Sequence, residues 1–377
     1  MRILFITHYS ALLGANRSLL TLVKGLQQQK NCEVMVLCPS EGLFTEELAR
    51  NNLPFKVFPY KNWAYSYRSM NFYLFPVLWQ LFKWKELPEI VSFVRQYDPD
   101  LIHSNSSVVS LGWQLAEALE KPHLWHIREY GYADYLMMHM LGNRLFYQKL
   151  QQTDQLIFIS DAIRDYYLEQ LTGDVRSTRI YNGVFDELTL QKSVTGKNLL
   201  IIGMLHPNKG QMDALQALKI LHPKYPALKL VIAGKGWKSY EQQLRQYVAA
   251  NGLNECVVFA GYVADPQPLY REAMAVLMCS RHEGMGRVTA EAMALGLPVV
   301  GFREGATQEI LTASKGGLLY SSISELASQI ETLYTNPEKV TELGSNGQAF
   351  AAQNFSNDAY VSLVYQVFTE TLETRKG

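Results

Sequence analysis

Neither sign of charge is in excess: 35 lysines and arginines stand against 35 aspartates and glutamates. The chain therefore lacks the broad positive field that draws polyanions, and no nucleic-acid partner is expected. It also lacks any apolar run near the roughly 20 residues needed to cross a bilayer. The best candidate, residues 70–82, is interrupted by Asn71, Pro76 and Gln80. The chain opens straight onto a strand-like run, without a basic segment and apolar signal core, so no secretory signal is expected. Cysteine is scarce. Cys32, Cys38, Cys256 and Cys279 show no Cys-x-x-Cys or zinc spacing and lie in or beside apolar runs. That suits reduced, buried thiols in a cytoplasmic protein. No cluster of His, Cys or carboxylate has metal-ligand spacing, so neither a metal nor another cofactor is expected. Repeats with a period of 20–50 residues and low-complexity tracts are absent as well.

What is present is a long alternation of short apolar runs with helical patterns, 48% hydrophobic over 377 residues. That is enough for two cores, and two domains with a cleft between them are expected. Residues 2–7, 33–38, 55–59, 101–104, 123–128 and 155–160 read as buried parallel strands, with helices such as 18–28, 109–120 and 162–171 between them. The pattern restarts with strands at 199–204, 229–233, 257–260, 276–279 and 298–301. The reading is α/β, with two Rossmann-like doubly wound parallel sheets. The first domain is expected over 1–186 and the second over 187–356. The join falls near residues 186–197, after the turn Asn182-Gly183, and a last helix at 357–377 packs back on the first domain.

Chemistry concentrates in residues 280–300, SRHEGMGRVTAEAMALGLPVV. A strand ends at Cys279, a loop carries Gly284, Met285 and Gly286, and a helix then runs to Leu295 before Gly296 stops it. The glycines let backbone N–H groups approach a ligand, and the helix N-terminus adds donors and a positive dipole end. Glu283 and Glu291 are eight residues apart, roughly 12 Å at helical rise. That is about the reach from a sugar ring to the ribose of a nucleotide sugar, so Glu283 suits the sugar hydroxyls and Glu291 the ribose diol. Two isolated glutamates would more often be an exposed carboxylate and a capping one.

The surrounding pattern resembles the Glu-x7-Glu segment of the GT4-type family of retaining glycosyltransferases, which have the GT-B fold. The likeness extends to 270–280, to 305–309, to Gly317-Leu318-Leu319, to GMLHPNKG at 203–210 and to RIYNGV at 179–184. Weaker likeness appears at 8–22, 100–105 and 125–129. It implies a GT-B enzyme that moves a sugar from a nucleotide diphosphate to a glycan or lipid-linked acceptor, with retention and without metal. It implies that Lys209 reaches the donor diphosphate, and it places the donor on Gly14, Arg281, Gly284, Met285, Gly286, Arg287 and Glu291. A nucleotide-sugar epimerase, or a non-catalytic subunit that binds glycan or a sister transferase, are the alternatives.

The chain departs from the family in three places. Met204 stands where an arginine normally joins the lysine on the phosphates, and Arg281 or Arg287 is the candidate replacement. Where the family has a histidine near the transferred sugar, this chain has Arg128, with His126 two residues earlier on the same strand face. Either could meet sugar or acceptor. Otherwise His126 is a satisfied strand histidine and Arg128 pairs with Glu129 or Asp134. Of two family glycines at the first strand-to-helix turn, only Gly14 remains.

Asp98-Pro99-Asp100 spells a metal signature of another fold, but it precedes an apolar strand and reads as a boundary. Gly234-Lys235-Gly236 lacks the rest of a Walker loop and reads as a strand-end turn that could lie against the nucleotide base. Residues 60–85 combine ten aromatics with Lys61, Arg68, Lys83 and Lys85. That mixture suits peripheral contact with the inner face of a membrane, or an acceptor site, ahead of a core helix plus loop.

Overall fold

The structure, a computed structural model, describes residues 1–66, 87–139, 142–186 and 196–376. The chain divides into two compact units, Met1–Gly183 with Asn357–Gly377, and Val184–Ser356. Most of the expected join at 186–197 lies outside the described residues.

The first unit contains β1 (Arg2–Ile6), β2 (Glu33–Cys38), β3 (Phe55–Val57), β4 (Ala64–Ser66), β5 (Leu101–Ser104), β6 (His123–Ile127), β7 (Met137–His139), β8 (Gln155–Phe158) and β9 (Ser177–Arg179). Its helices are α1 (Gly14–Gln29), α2 (Leu43–Arg50), α3 (Leu87–Tyr97), α4 (Leu111–Leu119), α5 (Tyr132–Tyr135), α6 (Asn143–Gln151) and α7 (Asp161–Leu168). The main sheet is parallel, in the order β3-β2-β1-β5-β6-β8-β9, and β4 pairs with β7 separately and antiparallel. In β1 every residue from Ile3 to Ile6 is buried, as expected for a strand covered by helices on both faces.

The second unit repeats the plan with β10 (Asn198–Ile202), β11 (Leu230–Ala233), β12 (Val257–Gly261), β13 (Ala273–Met278), β14 (Val299–Phe302) and β15 (Gly317–Tyr320), ordered β12-β11-β10-β13-β14-β15. Around them lie α8 (Gln211–Leu221), α9 (Lys238–Ala250), α10 (Gln267–Glu272), α11 (Arg287–Ala294), α12 (Gly305–Ser314), α13 (Ile323–Thr335) and α14 (Pro337–Asn354). The last helix, α15 (Asn357–Lys376), belongs to the first unit. Its Val361, Val364 and Phe368 share one core with Leu22 and Leu26 of α1 and with Phe5 of β1.

The aromatic stretch needs a correction where it is described. Tyr60 is buried, and its hydroxyl proton is shared between the carbonyls of Thr7 at 2.6 Å and Leu37 at 2.7 Å. Trp63 is also buried, donates Nε1–H to the Ser107 carbonyl at 3.0 Å, and stacks on Trp125 with centroids 6.1 Å apart. Both are core residues rather than interface or acceptor residues, because inward carbonyls satisfy their polar tips. Tyr65 and Lys61 are exposed. Arg68, Lys83, Lys85 and the other aromatics of the stretch lie outside the described residues. Among the described residues no helix is long and apolar enough to cross a membrane.

The remaining side features are local. All four cysteines are free and buried. Asp98 accepts from Lys121 at 2.7 Å, and Asp100 accepts from the Arg2 backbone N–H at 2.7 Å, so the two carboxylates have separate partners. The Gly234-Lys235-Gly236 turn is pinned to the preceding loop: Leu205 N–H donates to the Lys235 carbonyl at 3.2 Å, and Trp237 N–H to the Leu205 carbonyl at 3.0 Å.

Candidate functional site

In each sheet the first strand has neighbours reached in opposite chain directions. β10 lies between β11 and β13, and β1 lies between β2 and β5. Such a switch point leaves a crevice beyond the carboxyl ends of the strands, where ligands of open α/β sheets bind.

In the second unit that crevice holds the Glu-x7-Glu segment. Lys209 closes a short 3-10 turn after β10, and Glu283 sits in the loop after β13. Lys209 Nζ donates to Glu283 Oε2 at 2.8 Å. Gly210 makes this approach feasible: its φ is +67°, and a Cβ there would lie 2.3 Å from the Cys279 carbonyl oxygen. Burial pushes the Glu283 carboxyl up, but Lys209, the Ser280 hydroxyl and the Gly286 N–H more than offset it, so its pKa lies below the usual value. The carboxylate is therefore ionised and only partly exposed.

Gly286, at φ +73°, caps α11 in the left-handed region. Met285 is buried and Gly284 half-buried. Arg287 and Glu291 are neighbours on one helix face, with Nε to Oε1 at 3.0 Å. Glu291 Oε2 accepts from the Tyr270 hydroxyl at 2.9 Å. Arg287 Nη1 is buried with no hydrogen-bond partner among the described residues. Arg281 turns elsewhere, to Asp213 Oδ2 at 3.4 Å and across the Phe302 ring at 4.3 Å. Met204 is 47% exposed. Of the two arginines, Arg287 keeps an open guanidinium nitrogen among the described residues and Arg281 is held by a carboxylate.

In the first unit the switch point gathers different chemistry. Gly14 begins α1 at an exposed turn, and Leu13 before it provides no side-chain cap. Asn105, just past β5, donates Nδ2–H to the Ala15 carbonyl at 3.3 Å and accepts from Arg128 Nε at 2.7 Å. Arg128 also donates from Nη1 to Asn182 Oδ1 at 2.5 Å, and from Nη2 to the Tyr360 hydroxyl at 3.1 Å. His126 Nδ1 lies 3.3 Å from Arg128 Nη2 and 3.3 Å from His103 Nε2. Burial first, and then the Arg128 charge, hold His126 well below the ordinary histidine range. The expected alternative partners do not take Arg128. Glu129 Oε1 accepts from Ser106 Oγ at 2.8 Å and Ser107 N–H at 2.7 Å, and Asp134 accepts from Tyr130 N–H at 2.9 Å.

Sequence reasoning missed Asn182, Tyr360, Tyr270 and Ser280 as partners. Asn182 was visible only as half of a turn, and Tyr360 had no signal, lying 232 positions from Arg128.

Residues 13–188 match the family model described as Glycosyltransferase Family 4, and residues 196–336 match the one described as Glycosyl transferases group 1. An uncharacterized glycosyltransferase of Methanocaldococcus jannaschii is 28% identical over 277 residues, covering 72% of this chain and 75% of that protein. The alpha-monoglucosyldiacylglycerol synthase of Streptococcus pneumoniae is 24% identical over 320 residues, covering 76% of this chain and 72% of that protein. Among solved structures, Anabaena HepE in complex with UDP superposes with a TM-score of 0.82 at 22% identity, covering 98% of this chain and all of that one. Its complex with UDP-glucose gives a TM-score of 0.79 over the same coverage.

Proposed function

We propose, from the premise that both halves of this chain belong to the family 4, group 1 glycosyltransferases of GT-B fold, that it transfers a sugar from a nucleoside diphosphate to a glycan or lipid-linked acceptor. The configuration is retained and no metal takes part. The observation that carries this reading is the Lys209–Glu283 pair beside the N-terminus of α11. A cation, a carboxylate and uncapped backbone donors in one crevice match the three parts of a nucleotide sugar's reacting end.

In this mechanism the bond from the anomeric carbon to the outer phosphate oxygen breaks, and its electron pair stays on the phosphate. Lys209, Arg287 and the N–H groups of Gly284 to Arg287 stabilise that charge. The acceptor oxygen attacks the face the phosphate leaves, and its proton passes to the departing phosphate oxygen. Glu283 holds the sugar hydroxyls and Glu291 the ribose. In the first unit, Arg128 and His126 are assigned to the sugar or acceptor and Gly14 to the donor. The UDP complexes of HepE make UDP-sugars the first donors to try.

The protein is proposed to work in the cytoplasm, with membrane contact resting on Lys61, Arg68, Lys83 and Lys85. A non-catalytic subunit is the second reading, favoured by Met204 in place of the family arginine. A panel of nucleotide sugars decides between them. The transferase is stabilised thermally by at least one and hydrolyses it slowly without acceptor. No stabilisation and no hydrolysis with any donor would overturn it.

A further inference from the structure

A buried guanidinium is expensive to hold unless a negative group compensates it. Arg128 is 7% exposed, and among the described residues no carboxylate is ion-paired with it. Its acceptors are the neutral oxygens of Asn105, Asn182 and Tyr360 and the Nδ1 of His126. Among the described residues Nη1 donates one hydrogen bond, to Asn182 Oδ1, of the two open to it. The adjacent carboxylate, Glu129, is spent on Ser106 and Ser107.

The surroundings sharpen the imbalance. Three ring nitrogens near the carboxyl ends of β1, β5 and β6 are buried without a hydrogen-bond partner among the described residues: His8 Nδ1, His103 Nδ1 and His126 Nε2. Burial, with Arg128 adding to it, holds His8 down to about 3. The histidines therefore stay neutral and leave the positive charge undivided on Arg128. His126 Nδ1 accepts from Arg128, so its proton sits on Nε2, where it can donate to an oxyanion. A carboxylate paired with Arg128 would compete with one, and among the described residues none is paired with it. The cluster also lies where the first sheet changes direction, between β1 and β5.

We infer that Arg128 is the counter-charge for an anionic oxygen group of a substrate, a phosphate or a carboxylate, bound at the β1–β5 switch point. This deepens the transferase reading and rests on it. It gives the first unit a selectivity for an acidic ligand in addition to the diphosphate grip of Lys209. Asn105, Asn182 and Tyr360 are positioning residues: they hold the guanidinium plane while leaving its charge available.

The test uses the full chain and two probes, glucose and glucose 6-phosphate, with calorimetry for affinity. The wild type is expected to bind the phosphorylated sugar at least ten-fold more tightly, with a preference that falls as salt rises. Arg128→Met removes the preference. Arg128→Lys keeps part of it, and Tyr360→Phe keeps most. Lys209→Met leaves it intact, which separates this site from the diphosphate grip. No preference in the wild type overturns the inference, as does the same preference in Arg128→Met. Should Arg128→Met fail to fold, the arginine side-chain NMR signals of the wild type decide: a shift of the Arg128 Nη resonances with glucose 6-phosphate and not with glucose supports the site, and no shift overturns it. Displacement of glucose 6-phosphate by UDP in the wild type assigns the anion to the donor diphosphate, and simultaneous binding assigns it to the sugar or acceptor. Failure of the transferase reading is seen separately, as UDP binding that does not depend on Lys209.

Discussion

Lys209 and Glu283 form a 2.8 Å ion pair although 74 positions separate them in the chain. Lys209 lies beyond the end of β10 and Glu283 beyond the end of the adjacent β13, so the sheet order brings them together. In the proposed reaction each side chain exchanges this partner for part of the donor.

Lys209→Met and Glu283→Gln are each expected to lower turnover of an accepted donor by about 100-fold or more, the size seen when a charge-stabilising group is lost. Both positions lie in loops, so the far-UV dichroism stays that of the wild type. Near-wild-type kcat in either variant removes the site assignment.

Glu291→Gln acts on binding. Its two oxygens accept from Tyr270 and Arg287, and the proposed ribose contact is remote from the bond that breaks. The donor KM is expected to rise about ten-fold, the usual worth of a charged hydrogen bond, with kcat nearly unchanged. An unaltered KM would mean that Glu291 only fixes the Arg287 side chain.

Activity is expected to survive excess chelator. Among the described residues no three His, Cys, Asp or Glu are placed to hold a metal. Loss of turnover in chelator, recovered with manganese or magnesium, contradicts the metal-independent mechanism.

The buried histidines set an acid limit on stability. His8 and His123 are each lowered to about 3, mainly by burial, and burial also takes His103 and His126 well below the ordinary value. Because the folded values are depressed, the unfolded chain binds more protons as soon as pH drops under about 6.5. Stability is therefore complete above that pH and declines as pH falls towards the folded values. Unfolding at pH 5 should take up about four protons at these sites, measurable as buffer-dependent calorimetric enthalpy. Uptake near zero would mean that the four rings are protonated in the folded protein.

Trp63→Ala is expected to destabilise the protein by roughly 3–5 kcal/mol, as for other buried tryptophans, in urea unfolding. Sedimentation with anionic and neutral liposomes addresses the rest of its segment. Salt-sensitive binding to anionic vesicles, weakened by charge reversal at Lys83 and Lys85, is the expected result. Equal recovery from both kinds of vesicle removes the membrane contact and leaves the transferase reading in place.

Much of this architecture is legible in the chain. Runs such as ILFI, residues 3–6, and AMAVLM are apolar throughout because their strands are covered on both faces. The Glu283-to-Glu291 spacing and the loop glycines mark a strand–loop–helix, because those features act within one or two turns of backbone. Tyr60 and Trp63 misled for the same local reason. Aromatics beside lysines look alike at an interface and in a core until the acceptors of their polar tips are known, and for Tyr60 these are the carbonyls of Thr7 and Leu37.

By itself the sequence determined that two doubly wound sheets form and that the second carries a glycine loop and paired glutamates. Those properties follow from periodicity and short-range spacing. Only the tertiary structure decided that Lys209 faces Glu283, that Arg281 is held by Asp213, and that, among the described residues, Arg287 keeps an open nitrogen and Arg128 is held by Asn105, Asn182 and Tyr360 without a paired carboxylate. The physical reason is that a side chain's charge environment is set by neighbours across strands and from the last helix. Strand order and helix packing choose those neighbours, and no local pattern along the chain encodes them.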